Sequence, residues 1–158
     1  MKNLLLILLA FMTACGGSLS SDERKKLHDA SKLQEVLRVT EAEIDEVVLA
    51  QGRSVTEQAM RFRDDRARLD SLGRANHAAV RWVASGAPDA LSIEQQIIEA
   101  YVMNPAEDLP DNVQRMGEDS VLYSRPQTSK LPDGAIMVDG MWSVAFSKKD
   151  IILGMQNE

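Results

Sequence analysis

Apolar and polar positions alternate along this chain in three different ways. The first is an unbroken apolar run, Leu4 to Met12, which follows Lys2 and leads through Thr13-Ala14 to Cys15. Such a run is well short of the roughly 20 residues that a membrane-spanning helix needs. A single cation before it and small residues after it are the layout of a secretory signal peptide. Gly16–Ser21, GGSLSS, then reads as a short flexible tether.

The second regime is helical. Ser20 with Glu23 three residues later predicts a capping box. Beyond it Leu33, Leu37, Ile44, Val48, Val55, Ala59 and Phe62 follow one another at gaps of 4, 7, 4, 7, 4 and 3, which keeps one helix face. Val36, Val39, Val47 and Leu49 widen that stripe. The pattern predicts helix from about Asp22 to about Leu69, as one helix or as two broken at Gly52, where glycine costs about 1 kcal/mol relative to alanine. The stripe either packs on its own domain or projects as an arm for self-association or for a partner protein. Arg61–Asp70 carries mixed charges, with Arg61 and Asp65 spaced to pair on a solvated helix face. Asp64 and Asp65 are neighbours that a helix would point about 100° apart, a poor arrangement for a shared catalytic site. Ala75–Ala84 reads as a short helix holding His77 and Trp82, ended by Ser85-Gly86-Ala87-Pro88. Ser92–Met103 is a further amphipathic helix, stopped by Asn104-Pro105.

The third regime is β-like. Residues 104–117 contain Pro105, Pro110 and Gly117 and read as loop. Val121–Ser124 is a short strand halted by Pro126, and Ser129–Gly134 is a turn-rich link. Ala135–Val138 and Met141–Phe146 flank Asp139-Gly140, a favoured two-residue hairpin turn. Ser147 caps a terminal helix, Lys148–Met155, with Asp150 at the capping-box position. Long amphipathic helices, then a small antiparallel sheet, then one short helix make an α+β fold. The domain plan is a leader at 1–14, a membrane-proximal tether at 15–21 and one domain over 22–158.

Composition narrows the chemistry. The chain of 158 residues has a net charge of −6, and loss of Lys2 with the leader makes it more acidic still. It carries no basic footprint for nucleic acid and no electrostatic pull toward anionic lipid. Cys15 is the sole cysteine, so no internal disulfide forms; His28 and His77 are the sole histidines, so a Cys/His metal cluster and a C-x-x-C-H haem site are both excluded.

Met12-Thr13-Ala14-Cys15 resembles the bacterial lipoprotein cleavage motif, with Met where Leu is commoner. The resemblance implies that Cys15 is lipidated and becomes the first residue of the mature protein. Two or more acyl chains, palmitate among them, would anchor it, since each buried CH₂ contributes about 0.8 kcal/mol. The remaining alternative is an ordinary leader followed by a free thiol. Gly16 rather than Asp after the cysteine is similar to the sorting signal for the outer membrane in enteric bacteria, which implies an envelope location facing the periplasm.

Asn104, Pro105, Pro110 and Asp111, followed by Tyr123 and Pro126, resemble a motif of exported bacterial domains of unknown function. Some members of that family carry a c-type haem on a PAS-like sheet preceded by long helices. Asp108 stands where that family has Asn, and no C-x-x-C-H is present, so the haem site does not carry over and no cofactor is expected.

Three function classes follow. The first is a lipid-anchored envelope domain that binds a protein or small ligand without chemistry; the chain has no G-x-S-x-G, H-E-x-x-H or phosphate-binding glycine loop. The second is a PAS-like sensory domain whose pocket Tyr101, Met103, Tyr123, Met137 and Trp142 would line. The third is a carboxylate enzyme or calcium-dependent protein using Glu107, Asp108 and Asp111, although their spacing is not that of an EF-hand. The expectation is the first class, non-enzymatic and without a metal, and Cys15 is the one residue assigned a role.

Overall fold

In this computed structural model residues 20–36 and 39–156 are described. The expected leader, Cys15 and most of the expected tether lie outside them. The chain divides into two units after Arg38, and each is treated by itself.

The first unit contributes helix α1, Ser21–Val36. Its start is the expected capping box: Ser20 N–H donates to Glu23 Oε2 at 2.9 Å, and Glu23 N–H donates to Ser20 Oγ at 3.3 Å.

The second unit is α+β. Helix α2 spans Glu41–Ala59 and passes into a 3₁₀ turn at Met60–Phe62. Helix α3, Arg66–Ala75, leads to strand β1, Ala78–Ala84. Helix α4 spans Ser92–Met103, strand β2 Asn112–Arg115 and strand β3 Ser120–Lys130. Strand β4, Ile136–Ser147, runs into helix α5, Lys148–Met155. All pairings are antiparallel, and the sheet order is β1-β4-β3-β2.

The helix expected over 22–69, as one or as two broken at Gly52, is therefore cut, and not at Gly52. Thr40 starts α2 afresh with its own capping box, Glu43 N–H donating to Thr40 Oγ1 and Thr40 N–H to Glu43 Oε2. Asp65 caps α3 by accepting from Arg68 N–H at 3.1 Å, so it bridges Arg68 rather than Arg61. Gly52 lies inside α2, where a Cβ would run into the ring of Tyr123 on β3. The glycine is a packing notch, not a break.

Ala75–Ala84 is not a helix. Asn76 closes α3, His77 reverses the chain at φ 50°, and Ala78 onward pairs with β4. Val80, Trp82 and Val83 find neighbours on the sheet, which outweighs the local helix preference of alanine. Strand β3 does not stop at Pro126. Strand β2 ends opposite Ser124, so no third strand requires the N–H that Pro126 lacks. Strand β2 itself was hidden in a proline-rich stretch. Asp139-Gly140 is no turn either, since both lie within β4. The reversal is at Leu131–Ala135, where Gly134, φ 87°, donates to Leu131 C=O at 2.9 Å.

Alternation splits the sheet into two buried faces. One carries Tyr123, Trp142, Val144 and Phe146; there Ile44, Val48 and Val55 bury the stripe of α2, with Leu69 of α3 and Ile151 and Ile152 of α5. The other carries Leu122, Val83 and Met141 under Ile97, Ile98 and Tyr101 of α4.

Candidate functional site

Charged side chains enter the interior in two places. Glu94, 1% exposed, sits in the first turn of α4 and accepts three hydrogen bonds: from Leu91 N–H at 2.8 Å, from Ser143 Oγ at 2.6 Å and from Arg81 at 2.8 Å. Leu91 N–H would otherwise be an orphan donor ahead of the helix. Every partner of this carboxylate is structural, so it ties α4 to β1 and β4.

The second place gathers residues that the motif resemblance had singled out. Asp111, just before β2, has a side chain only 12% exposed and accepts from Arg53 Nε at 2.7 Å, with Arg125 Nε 4.0 Å away. Arg125 also lies 3.8 Å from Glu57. The Asp111 carboxylate raises the pKa of Arg53. Tyr123 is fully buried beside this group. Burial pushes its hydroxyl pKa well up; Thr56 offsets part of the rise and Asp111 adds to it. Neither neighbour meets hydrogen-bond geometry, and the Tyr123 hydroxyl has no partner among the described residues. Tyr101, whose pKa burial also raises, donates to the Pro110 carbonyl at 3.1 Å. Pro110, Asp111 and Tyr123 are thus neighbours in space, while Asn104 ends α4 and Pro126 lies further along β3. Arg53 is the member that the motif did not include.

The other expected site residues disperse. Tyr123 and Trp142 face α2, Tyr101 belongs to the α4 face, and Met103 and Met137 are exposed, so the five do not line one pocket. Glu107 and Asp108 are exposed loop residues, and Asp111 is engaged by arginine. Among the described residues no group of three or more His, Cys, Asp or Glu is placed to hold a metal ion. His77 is an exposed turn residue. Asp64 lies between α2 and α3, and Asp65 is spent as a cap.

Open space lies at the far end of the sheet. A groove of about 720 Å³ runs beside the first residues of β4, between the C-terminus of α4 and the β3–β4 turn. Val102, Pro105, Leu131 and Met137 line it, together with the charged side chains Arg63 and Asp139. Val102 is 47% exposed, Leu131 38% and Met137 45%. Three large apolar side chains thus stand grouped in the open along one groove rather than scattered singly. A hairpin turn expected at Asp139-Gly140 hid it, because the true turn at Leu131–Ala135 is what sets Leu131 and Met137 beside each other.

Set against protein-family models, curated proteins and solved structures, the chain matches none.

Proposed function

We propose that this is a lipid-anchored protein of the bacterial envelope, facing the periplasm from the outer membrane, whose domain binds a partner protein or ligand without carrying out chemistry. The observation behind the binding role is the apolar groove beside β4, with Val102, Leu131 and Met137 exposed along it. Placement in the envelope rests on Met12-Thr13-Ala14-Cys15 and the preceding apolar run. Binding is favoured over catalysis because the shifted titratable groups answer to structural partners. Lys148 lowers the pKa of Glu41, Thr40 that of Glu43, and burial raises both tyrosines.

A second reading, a PAS-like sensory domain without covalent haem, draws on the meeting of Pro110, Asp111 and Tyr123 around one ion pair.

Both are tested on the full chain extracted in detergent from the membranes of its host. Intact mass should show acyl chains, and Cys15→Ser should lose them and release the protein into the soluble fraction. Native mass spectrometry should then find a bound species that Met137→Glu removes. A soluble, unacylated wild type sinks the anchor. A bound species indifferent to Met137→Glu but lost in Asp111→Asn moves the site to the Tyr123 cluster.

A further inference from the structure

Resting on that binding role, we propose that the groove takes an extended segment of a partner protein, which adds as a strand to the open edge of β4 at residues 136–138 and sets an acidic group against Arg63.

The edge follows from where the pairings stop. Strand β1 accompanies β4 from Phe146 to Gly140, and a last bond runs from Ser85 N–H to the Asp139 carbonyl at 3.1 Å. Strand β3 continues further, opposite Val138, Met137 and Ile136. These three residues therefore have a strand on one side only. Leu131 N–H bonds to the Ala135 carbonyl at 2.8 Å, which sets the alternation for the pair. Met137 then turns its backbone groups toward β3, and Ile136 and Val138 turn theirs away from it, where no strand pairs with them. The space that a continuing β1 would occupy is the groove.

The opposite edge of the same hairpin is blocked. Pro126 can donate no ladder bond, and Thr128 Oγ1 donates to the Glu107 carbonyl at 3.4 Å, which holds the 104–111 loop along β3. Proline and a covering loop are the usual protection of a free edge. The β4 edge has no proline; along it Ile136 is half-buried and Met137 exposed, while Val138 packs its side chain into the core under α4. It offers main-chain groups for affinity and flanking apolar walls for the side chains of every second residue, the two elements of strand addition.

Charge selects the partner further. Arg63 in the groove lining lies over the Trp82 ring at 3.8 Å and makes no ion pair among the described residues. The carboxylate in the lining, Asp139, accepts from Ser129 Oγ of β3 at 2.9 Å. Arg63 is the cation of the groove without a carboxylate partner among the described residues, so the segment that fits is apolar at alternate positions with one carboxylate set against it.

The test is selection of a random octapeptide phage library on the full chain held in lipid nanodiscs. Winners are resynthesised and their binding read by fluorescence anisotropy. Expected winners alternate apolar residues and carry an Asp, a Glu or a free C-terminus. N-methylation of alternate peptide amides should weaken them at least tenfold, and Arg63→Glu and Met137→Glu should each do the same. Because the methyl groups are on the peptide, that result cannot come from misfolding of the protein. Winners blocked by Met137→Glu yet indifferent to N-methylation overturn strand addition and leave the binding role standing. No winners, or winners blind to Met137→Glu, overturn the peptide site. A dimer in light scattering that Met137→Glu dissolves, or a co-extracted acyl chain displaced by no peptide, gives the groove to a second copy or a lipid instead.

Discussion

The two ends of strand β4 obey different rules. From Gly140 to Phe146 it has β1 on one side, β3 on the other and helices over both faces, and its residues are almost all buried. From Ile136 to Val138 it has one neighbouring strand, and Met137 stands in the open. The same strand thus serves as the centre of a core and as an unfinished edge. Pairing on both sides, not strand propensity, separates the two roles, since Val138 at the open end still sends its side chain into the core under α4. Stability should therefore be concentrated at one end and recognition at the other.

Substitutions can break this contrast, and the largest effect belongs to the closed end. Trp142→Ala empties a fully buried site beside Trp82 and should cost about 3–5 kcal/mol in urea unfolding. A loss under about 1 kcal/mol would mean that the centre of β4 is not the core. Next comes Glu94→Ala, which strands Leu91 N–H and Ser143 and leaves half-exposed Arg81 without its acid. A loss of about 2–3 kcal/mol is expected, and Glu94→Gln should recover part of it. Gly52→Ala drives a methyl group into the Tyr123 ring and should cost about 1–3 kcal/mol by overpacking, with Tyr123→Leu as a second substitution that relieves it.

Smaller still is the effect of Tyr123→Phe. Burial raises the Tyr123 pKa above its ordinary value near 10, so the native state favours the neutral phenol. Its contribution is complete below about pH 10 and disappears as pH climbs toward the folded-state value. Unfolding midpoints of the wild type should therefore fall above about pH 10, and more gently in the phenylalanine variant. Tyr101 retains its own share, being shifted the same way. Equal slopes would show that Tyr123 reaches solvent. At the open end, Met137→Ser should move stability by less than about 0.5 kcal/mol. A loss above about 2 kcal/mol would make Met137 part of the core and abolish the contrast.

The same contrast separates what was legible in the sequence from what was not. Helix α4 was readable to its ends because Ser92–Met103 is periodic and Asn104-Pro105 follows it. Helix α5 was readable from Ser147, whose Oγ accepts from Asp150 N–H at 3.4 Å. These signals are local. Strand β1 was misread because Ala78 and Ala79 favour helix until β4 is beside them. Asp139-Gly140 was misread because a turn dipeptide fits within a strand when β1 approaches too closely for a Cβ at Gly140. Asp111 and Tyr123 were marked in advance by a motif, but Arg53 was not. Its partner lies 58 positions away, and no spacing rule reaches that far.

Glu94 has a further consequence, for the order in which the chain assembles. Its carboxylate leaves water for Arg81 of β1 and Ser143 of β4, which stand opposite each other in the β1–β4 register. A β1 shifted by two residues would keep its backbone ladder yet carry Arg81 away from Ser143, and α4 would then have to bury an acid without its cation. Docking of α4 thus discriminates against a slipped β1, and a late place along the folding route is the expectation to test. Substitutions on the buried side of α4 should accelerate unfolding while leaving the folding rate almost untouched.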